Sequence, residues 1–317
     1  MRHQFLNITS GRSKIVLFIV LILFGYLFSS FAALAIAKLA GYNQIMERLS
    51  NPNITDIDSL NLFRIVQVAM HMGLFLLGPV LYLMLVEQNP IQKYGFNRNP
   101  FQFKYLLIVV LMLVCLPGIN LSHTLNQSMH LPSWLSSTEK WMQQKEDSAK
   151  DLTDAFLSMK SYKDLAVNLI MFGLLPAIGE ELFFRGALFT IIKEWTKKKH
   201  LTIFITAFLF SAIHLQFYGF LPRFLLGVGF GYLFIFTGTL WAPMLAHFIN
   251  NSLAVVVAFF YFQGKSDVNQ DDFGSVNNMA LNILSIGVTI YIFRMIYKRN
   301  WSNGKVDEVR REWDSNP

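Results

Sequence analysis

The sequence predicts an all-α fold: a polytopic membrane helix bundle of about eight transmembrane helices, with the N and C termini cytoplasmic. Three observations lead to this prediction. Apolar residues make up 53% of the 317 residues and charged residues only 15%, with a mean hydropathy of +0.40. Several apolar runs approach the roughly 20 residues that a spanning helix needs. The loops between the runs alternate between basic and acidic, as inner and outer loops do.

The apolar runs are spread from one end of the chain to the other, which favours a single membrane domain. The first run is longer than the apolar region of a secretion signal and no clear cleavage site follows it, so we expect it to stay as an anchor. The predicted spans cover residues 15–40, 62–86, 105–121, 165–192, 201–217, 222–237, 240–262 and 280–297.

The positions of the charges predict which loops face the cytoplasm. Basic residues cluster directly beside apolar runs, in residues 93–104, 197–199 and 294–299, whereas residues 42–61 and 265–278 are acidic. The positive-inside rule therefore accounts for the net charge of +7 and makes nucleic acid a poor partner. The predicted partner is the lipid bilayer, and the compact loops favour a multi-pass protein of a bacterial cytoplasmic (inner) membrane.

Three parts of the domain are expected to differ in role. Residues 1–164 supply N-terminal transmembrane helices and an extracytoplasmic loop at 122–163, residues 165–262 form the core, and residues 263–317 hold the last helix and a cytoplasmic tail. Within the loop, Ser-Ser-Thr-Glu at 136–139 is a helix-start signature. We expect an amphipathic helix behind it that lies on the outer leaflet or packs over the bundle.

The most informative stretch lies inside the fourth apolar run, where Glu180, Glu181 and Arg185 occur together. A charged side chain at membrane depth costs on the order of 2.5–3.5 kcal/mol, so such residues are paired, line a wet cavity or take part in chemistry. Glu181 and Arg185 are four residues apart and can pair on one helix face. Glu180 is rotated about 100° from that face and is left free for proton transfer.

Two later apolar runs bring further polar groups. His214 comes near the end of the fifth run, and His247 and Asn251 lie four residues apart on one face of the seventh, with Asn250 on a different face. Each of these residues alone is more often a group that hydrogen-bonds two helices together. Their joint occurrence with the glutamates in one half of the chain indicates a functional site.

Other polar and small residues in the apolar runs have structural interpretations. Gly227 and Gly231 form a small-xxx-small pair, which is typical of closely packed membrane helices and not of a nucleotide-binding loop. Arg64 and His71 in the second run lack comparable neighbours, and we interpret them as structural.

The ordered motifs resemble a known family. Glu180-Glu181-x-x-x-Arg185, Phe210-x-x-x-His214 and His247-x-x-x-Asn251 are similar to the three core motifs of the CPBP family. This family includes type II CAAX prenyl endopeptidases and membrane proteins of bacteriocin processing or immunity. The resemblance covers about residues 165–260.

The resemblance implies an intramembrane endopeptidase that hydrolyses a membrane-associated protein or peptide. Glu180 and His214 would activate a water molecule for attack on the peptide carbonyl. His247 and Asn251 would donate hydrogen bonds to the developing oxyanion. Glu181 and Arg185 would brace the site.

Alternatives remain open. Glu180, His214 and His247 have the composition of a two-histidine, one-carboxylate zinc site, although the chain has no His-Glu-x-x-His. The Asn one turn after His247 suits an oxyanion donor better, so we predict no metal and no other cofactor. A non-catalytic scaffold or bacteriocin self-immunity protein, or a transporter with a Glu180–His214 proton relay, would use the same residues structurally or for ion transfer. The chain shows no half-chain repeat of the kind common in such transporters.

Overall fold

The computed structural model describes residues 6, 8, 10–50, 56–99, 102–270 and 272–298. Helices dominate this part of the chain and no strand occurs within it. Short helices at Ile45–Ser50 and Pro90–Lys93 and 3-10 turns at Phe103–Tyr105, Ser133–Leu135 and Phe217–Gly219 join the longer elements. The longer helices are α1 Gly11–Leu39, α2 Ile57–Val86, α3 Leu106–Gln127, α4 Ser136–Leu157, α5 Tyr162–Thr196, α6 Lys199–Ala212, α7 Phe220–Thr237, α8 Trp241–Phe262 and α9 Met279–Lys298.

The all-helical membrane bundle is confirmed. Among the described residues, seven helices are long and apolar enough to cross a membrane: α1, α2, α3, α5, α7 with its preceding turn, α8 and α9. Helix α6, in the place of the fifth predicted span, is apolar but has only 14 residues. Its length of about 21 Å is less than the roughly 30 Å of a bilayer core. The predicted count of about eight therefore corresponds to seven long helices and one short one.

The predicted sidedness depends partly on residues outside the described ranges. These are residues 1–5, 7 and 9, the loop residues 51–55 and Asp271 of the predicted outer loops, and the predicted cytoplasmic tail from residue 299. The orientation of the bundle in the membrane accordingly stays a prediction.

A break at Cys115 divides helix α3 into two parts. Pro117 lacks the N–H that would bond to the carbonyl of Leu113, so the regular helix is interrupted just before it. The helix then resumes at Leu116 and continues to Gln127. The helix therefore extends beyond the predicted end at residue 121.

Helix α5 is the longest element, with 35 residues, and carries the glutamate pair. At about 1.5 Å per residue it exceeds a bilayer core, as the length of its apolar run had indicated. Two π-helical turns interrupt it, at Leu169–Leu174 and Leu182–Leu188. Glu180 and Glu181 lie between these turns. Single π-helical turns within α-helices are frequent at functional sites because they re-aim the neighbouring side chains.

Helices α6 and α7 approach each other closely through glycines. A Cβ atom on Gly227 would lie 3.1 Å from the Cβ of Ala207, and one on Gly231 would lie 2.9 Å from Cγ2 of Ile203. The predicted role of these glycines in helix packing is confirmed.

Helix α4 closes one end of the bundle. It begins at the predicted Ser136, although no side chain caps its N-terminus and Glu139 instead contacts His130 at 3.0 Å. Phe156 and Leu157 at its other end are buried against α2, α5 and α8. The amphipathic helix of the loop therefore packs on the protein and covers the space between the spanning helices.

Candidate active site

A cavity of about 310 Å³ lies where α2, α4, α5, α7, α8 and the turn after α6 meet. The predicted site residues Glu180, His214, His247 and Asn251 all line it, although they come from three separate parts of the chain. The remaining polar lining comes from Gln67, His71, Thr153, Gln216, Arg223 and Asn250. The structure thus brings together at one cavity the four residues for which the family resemblance implies direct chemical roles.

Glu181 and Arg185 are completely buried beside this cavity. Nη1 of Arg185 donates to Oε1 of Glu181 over 2.7 Å, so the predicted i, i+4 pair is confirmed. The same oxygen also accepts a hydrogen bond from Nδ1 of His247 at 3.0 Å. One carboxylate therefore holds two of the other motif residues.

The Arg185 guanidinium links α5 to α6 and α7. Its Nη2 donates to the carbonyl oxygen of Gly227 at 2.8 Å. Its central carbon lies 4.9 Å from the ring centre of Phe210 and 5.4 Å from that of Phe230, within the range of cation–π attraction. These contacts and the Glu181 carboxylate offset the cost of burying the charge.

His247 lies between the two glutamates. A carboxylate paired with an arginine can only accept, so Nδ1 of His247 carries the proton in its bond to Glu181. The other ring nitrogen, Nε2, lies 3.9 Å from Oε2 of Glu180. The ring stacks on Phe230 with its centre 5.1 Å away. Nε2 is consequently held toward Glu180 and the cavity.

His214 lies in the turn just after α6, and not inside a spanning helix as predicted. Its Nδ1 is 2.8 Å from the carbonyl oxygen of Phe210, four residues earlier. Since a carbonyl oxygen can only accept, Nδ1 carries the proton, and Nε2 of the neutral ring has a free lone pair. The Phe-x-x-x-His spacing thus orients the histidine through the last carbonyls of the helix.

The side chain of Asn251 is held by a carbonyl group that Pro176 leaves without its usual helical partner. The proline has no N–H to bond to the carbonyl of Phe172 four residues earlier. The amide nitrogen of Asn251 donates to that carbonyl at 2.9 Å. A primary amide carries two N–H groups, so one remains for another acceptor. The neighbouring Asn250 also lines the cavity and donates to the Asn251 side-chain oxygen at 3.2 Å, which its predicted position on a different helix face did not indicate.

His71, interpreted as structural from the sequence, lines the same cavity. Its ring packs on Phe75 with the centres 4.7 Å apart, and its buried Nε2 has no hydrogen-bond partner. Gln67 and His71 are four residues apart, and this spacing could have marked a polar face on α2. Arg64, by contrast, bonds to Asn61 and lies over the Phe156 ring, away from the cavity lining.

The polar lining also includes Arg223, in the first turn of α7, and Gln216, in the turn before it. Neither residue was predicted from the sequence to be part of the site. The signal available was a single arginine after Pro222 at the start of an apolar run.

The zinc alternative requires three side chains to converge as ligands. In the described ranges, no group of three or more His, Cys, Asp or Glu side chains is arranged to hold a metal ion. Of the three residues considered, His214 and His247 each use Nδ1 in a protein hydrogen bond, which leaves Nε2 as the possible ligand atom, and Nε2 of His247 is 3.9 Å from Oε2 of Glu180. The donor set as placed does not fit a metal centre, and we derive no step through one.

Comparison with known proteins gives one match. A family model described as type II CAAX prenyl endopeptidase Rce1-like matches residues 162–253. This range contains all three motifs, from the N-terminus of α5 to the middle of α8. No curated protein and no solved structure matches the chain.

Proposed function

We propose that the chain is an intramembrane endopeptidase of the CPBP family in which Glu180 and His214 activate water, and the match of residues 162–253 to an Rce1-like endopeptidase model supports this assignment. The substrate would be a membrane-associated protein or peptide, and the location a bacterial cytoplasmic membrane. The chain is a multi-pass membrane protein with a buried polar cavity, which suits hydrolysis at the bilayer. The proposal rests chiefly on one observation: the two adjacent glutamates have different surroundings.

Glu180 is the residue proposed as general base. Its carboxylate lines the cavity and makes no hydrogen bond to a described residue, with Nε2 of His247 3.9 Å away, whereas Glu181 shares one oxygen between Arg185 and His247. A carboxylate with a free oxygen at a wet cavity can take a proton from water and later deliver it to the leaving amine. Glu181 is completely buried and does not line the cavity, so its carboxylate has no access to water there.

His214 is proposed to position the attacking water. Its Nδ1 is held by the Phe210 carbonyl, so the Nε2 lone pair can accept a hydrogen bond from the same water that Glu180 deprotonates. The water oxygen then attacks the peptide carbonyl, and the carbonyl electrons move to oxygen to form a tetrahedral oxyanion. Collapse of this intermediate breaks the C–N bond as Glu180 protonates the nitrogen.

The oxyanion is proposed to bind Asn251 and His247. Asn251 retains one N–H after its bond to Phe172. Nε2 of His247 can donate only if the ring is an imidazolium, because Nδ1 already carries a proton. Glu180, Glu181, Arg185 and His247 would then form a four-membered cluster with no net charge. A pre-oriented donor of this kind contributes about 3–4 kcal/mol in other proteases.

The test uses the purified full-length chain in lipid nanodiscs and fluorogenic membrane-anchored peptides. Glu180→Gln keeps the shape of the side chain but cannot act as a base, so the turnover rate should fall roughly 100- to 10,000-fold. Glu194→Gln is the matched control, because Glu194 lies on the same helix and pairs with Lys14 away from the cavity. Full activity of a folded Glu180→Gln protein would refute the proposal.

A further inference from the structure

We propose that Arg223, held by Gln216, binds a carboxylate of the substrate peptide within the catalytic cavity. This inference deepens the proposed function and depends on it, because it assumes that the cavity receives a peptide. The carboxylate could be the C-terminus of the peptide or an acidic side chain, since both present the same group.

Arg223 is a cation at the cavity without an acidic partner. Its Nη1 donates to the side-chain oxygen of Gln216 at 2.8 Å and its Nη2 to the main-chain oxygen of the same residue, while its buried Nε has no hydrogen-bond partner. No carboxylate of the described residues lies within ion-pair distance of this guanidinium. The carboxylate that acts most strongly on the Arg223 charge is that of Glu146. It accepts a hydrogen bond from the backbone N–H of Tyr218 at 3.2 Å.

The two arginines at this site differ in one respect. Arg185 is neutralised by Glu181 at 2.7 Å, and its site is complete within the protein. Arg223 contacts only neutral oxygens. Arg223 is half-buried and its Nε is completely buried, and a guanidinium in such a position without a counter-charge is costly. A ligand carboxylate would remove that cost on binding, and guanidinium groups bind carboxylates with well-directed charge-assisted hydrogen bonds.

Gly219 makes room for the guanidinium. A Cβ atom on this residue would lie 2.7 Å from Nη2 and 2.9 Å from Cζ of Arg223, so the plane of the group rests against the bare Cα. Together with the two Gln216 bonds, this contact holds Arg223 in one orientation before any ligand arrives. Such preorganisation lowers the entropic cost of binding.

The charges in the cavity also give the peptide a direction. Glu180 repels an anion, whereas Arg223 attracts one, and both line the same space. A peptide with one carboxylate is therefore expected to bind with that group at Arg223 and a neutral peptide bond at Glu180.

The experiment measures binding without turnover. Full-length protein carrying Glu180→Gln in nanodiscs is titrated with a fluorescent prenylated CAAX-type peptide in three versions. The first version carries a free C-terminal carboxylate and one acidic side chain. The second ends in a carboxamide, and the third keeps the free C-terminus but has the acidic side chain replaced by its amide. The version that lacks the recognised carboxylate should bind roughly 10- to 100-fold more weakly, as for loss of a charged hydrogen bond. That version identifies the source of the carboxylate.

Adding Arg223→Gln to this protein should weaken binding of the peptide that has both carboxylates by the same factor. It should leave the binding of the version without the recognised carboxylate unchanged. Gly219→Ala, which displaces the guanidinium without removing it, should give a loss in the same direction. Arg48→Gln is the control, because Arg48 pairs with Asp56 outside the cavity. Equal affinity for all three peptides, or an equal loss for all three in Arg223→Gln, would overturn the inference.

Cleavage by the otherwise unaltered chain separates this inference from the proposed function. Cleavage with the same KM for all three peptides would overturn carboxylate binding and leave the protease proposal standing. Carboxylate-dependent binding without any cleavage would support Arg223 as the anion site and count against the protease proposal.

Discussion

Nδ1 of His247 donates a hydrogen bond to Oε1 of Glu181 across 3.0 Å, between helices α8 and α5. The same oxygen accepts from Arg185, so Glu181 fixes both the orientation and the tautomer of the histidine. Nε2 of His247 is thereby directed to Glu180, 3.9 Å away. Glu181 thus positions His247 beside Glu180. We expect substitution of Glu181 to lower stability and substitution of Glu180 to lower activity.

Glu181→Gln is expected to destabilise the protein. The amide cannot neutralise Arg185, and removing one partner of a buried ion pair costs about 3–5 kcal/mol because the other charge is left uncompensated. Thermal unfolding in detergent should show a clearly lower midpoint for Glu181→Gln than for Glu180→Gln. The same substitution at the adjacent residue is the control, and equal midpoints would contradict the structural role assigned to Glu181.

Asn251→Asp is expected to lower the turnover rate with little effect on KM. The carboxylate has the same shape but offers no N–H to the oxyanion, and loss of one such donor costs roughly 100- to 1,000-fold in kcat. It also places an acceptor against the Phe172 carbonyl. Steady-state kinetics on a cleaved peptide would measure the effect. Asn250→Asp should cause a smaller loss, and an equal loss in both variants would argue against an oxyanion role specific to Asn251.

The glycines of α7 provide a test of helix packing. Gly227→Ala places a methyl group 3.1 Å from the Cβ and 3.2 Å from the Cα of Ala207, so the backbone of α6 must shift. Overpacking of this kind costs about 1–3 kcal/mol. Gly229→Ala is the control, because its methyl group would meet only Phe293 at an ordinary 3.4 Å. Thermal unfolding should show a lower midpoint only for Gly227→Ala, and a lower midpoint for Gly229→Ala alone would contradict this packing.

Chelators are expected to leave the activity unchanged. The described residues offer no set of three or more His, Cys, Asp or Glu side chains placed to hold a metal ion. The cleavage rate should be the same before and after incubation with 1,10-phenanthroline. A loss of activity that added Zn²⁺ restores would revive the zinc hypothesis with Glu180, His214 and His247.

Much of the site could be predicted because helices have a regular period. The four-residue spacing of Glu181 and Arg185 is enough to place them on one face, and the structure contains that pair. The same reasoning separated Glu180 from Glu181. The helical period did not predict that Asn250 lines the cavity, because a wide cavity is lined by side chains from more than one helix face.

The sequence could not place His71 and Arg223 in the cavity, although the spacing of Gln67 and His71 marks a polar face on α2. Both belong to helices that carry no motif, and their nearness to Glu180 depends on how α2 and α7 pack against α5. The helix boundaries were also approximate. Helix α6 ends at Ala212, so His214 lies in the turn beyond it, although the predicted span continues to residue 217.

Hydrophobicity and residue spacing determined the helical membrane bundle and the buried Glu181–Arg185 pair, and the motif resemblance added the roles expected for four of the residues that line the cavity. The bundle and the ion pair depend on local periodicity and on the cost of charge in an apolar environment, which can be calculated from the chain alone. Only the tertiary structure decided that His247 contacts both glutamates, that Asn251 bonds to the carbonyl left free by Pro176, and that Arg223 lacks an acidic partner. Contacts between helices depend on their relative rotation and depth, and many residues far apart in sequence set these together.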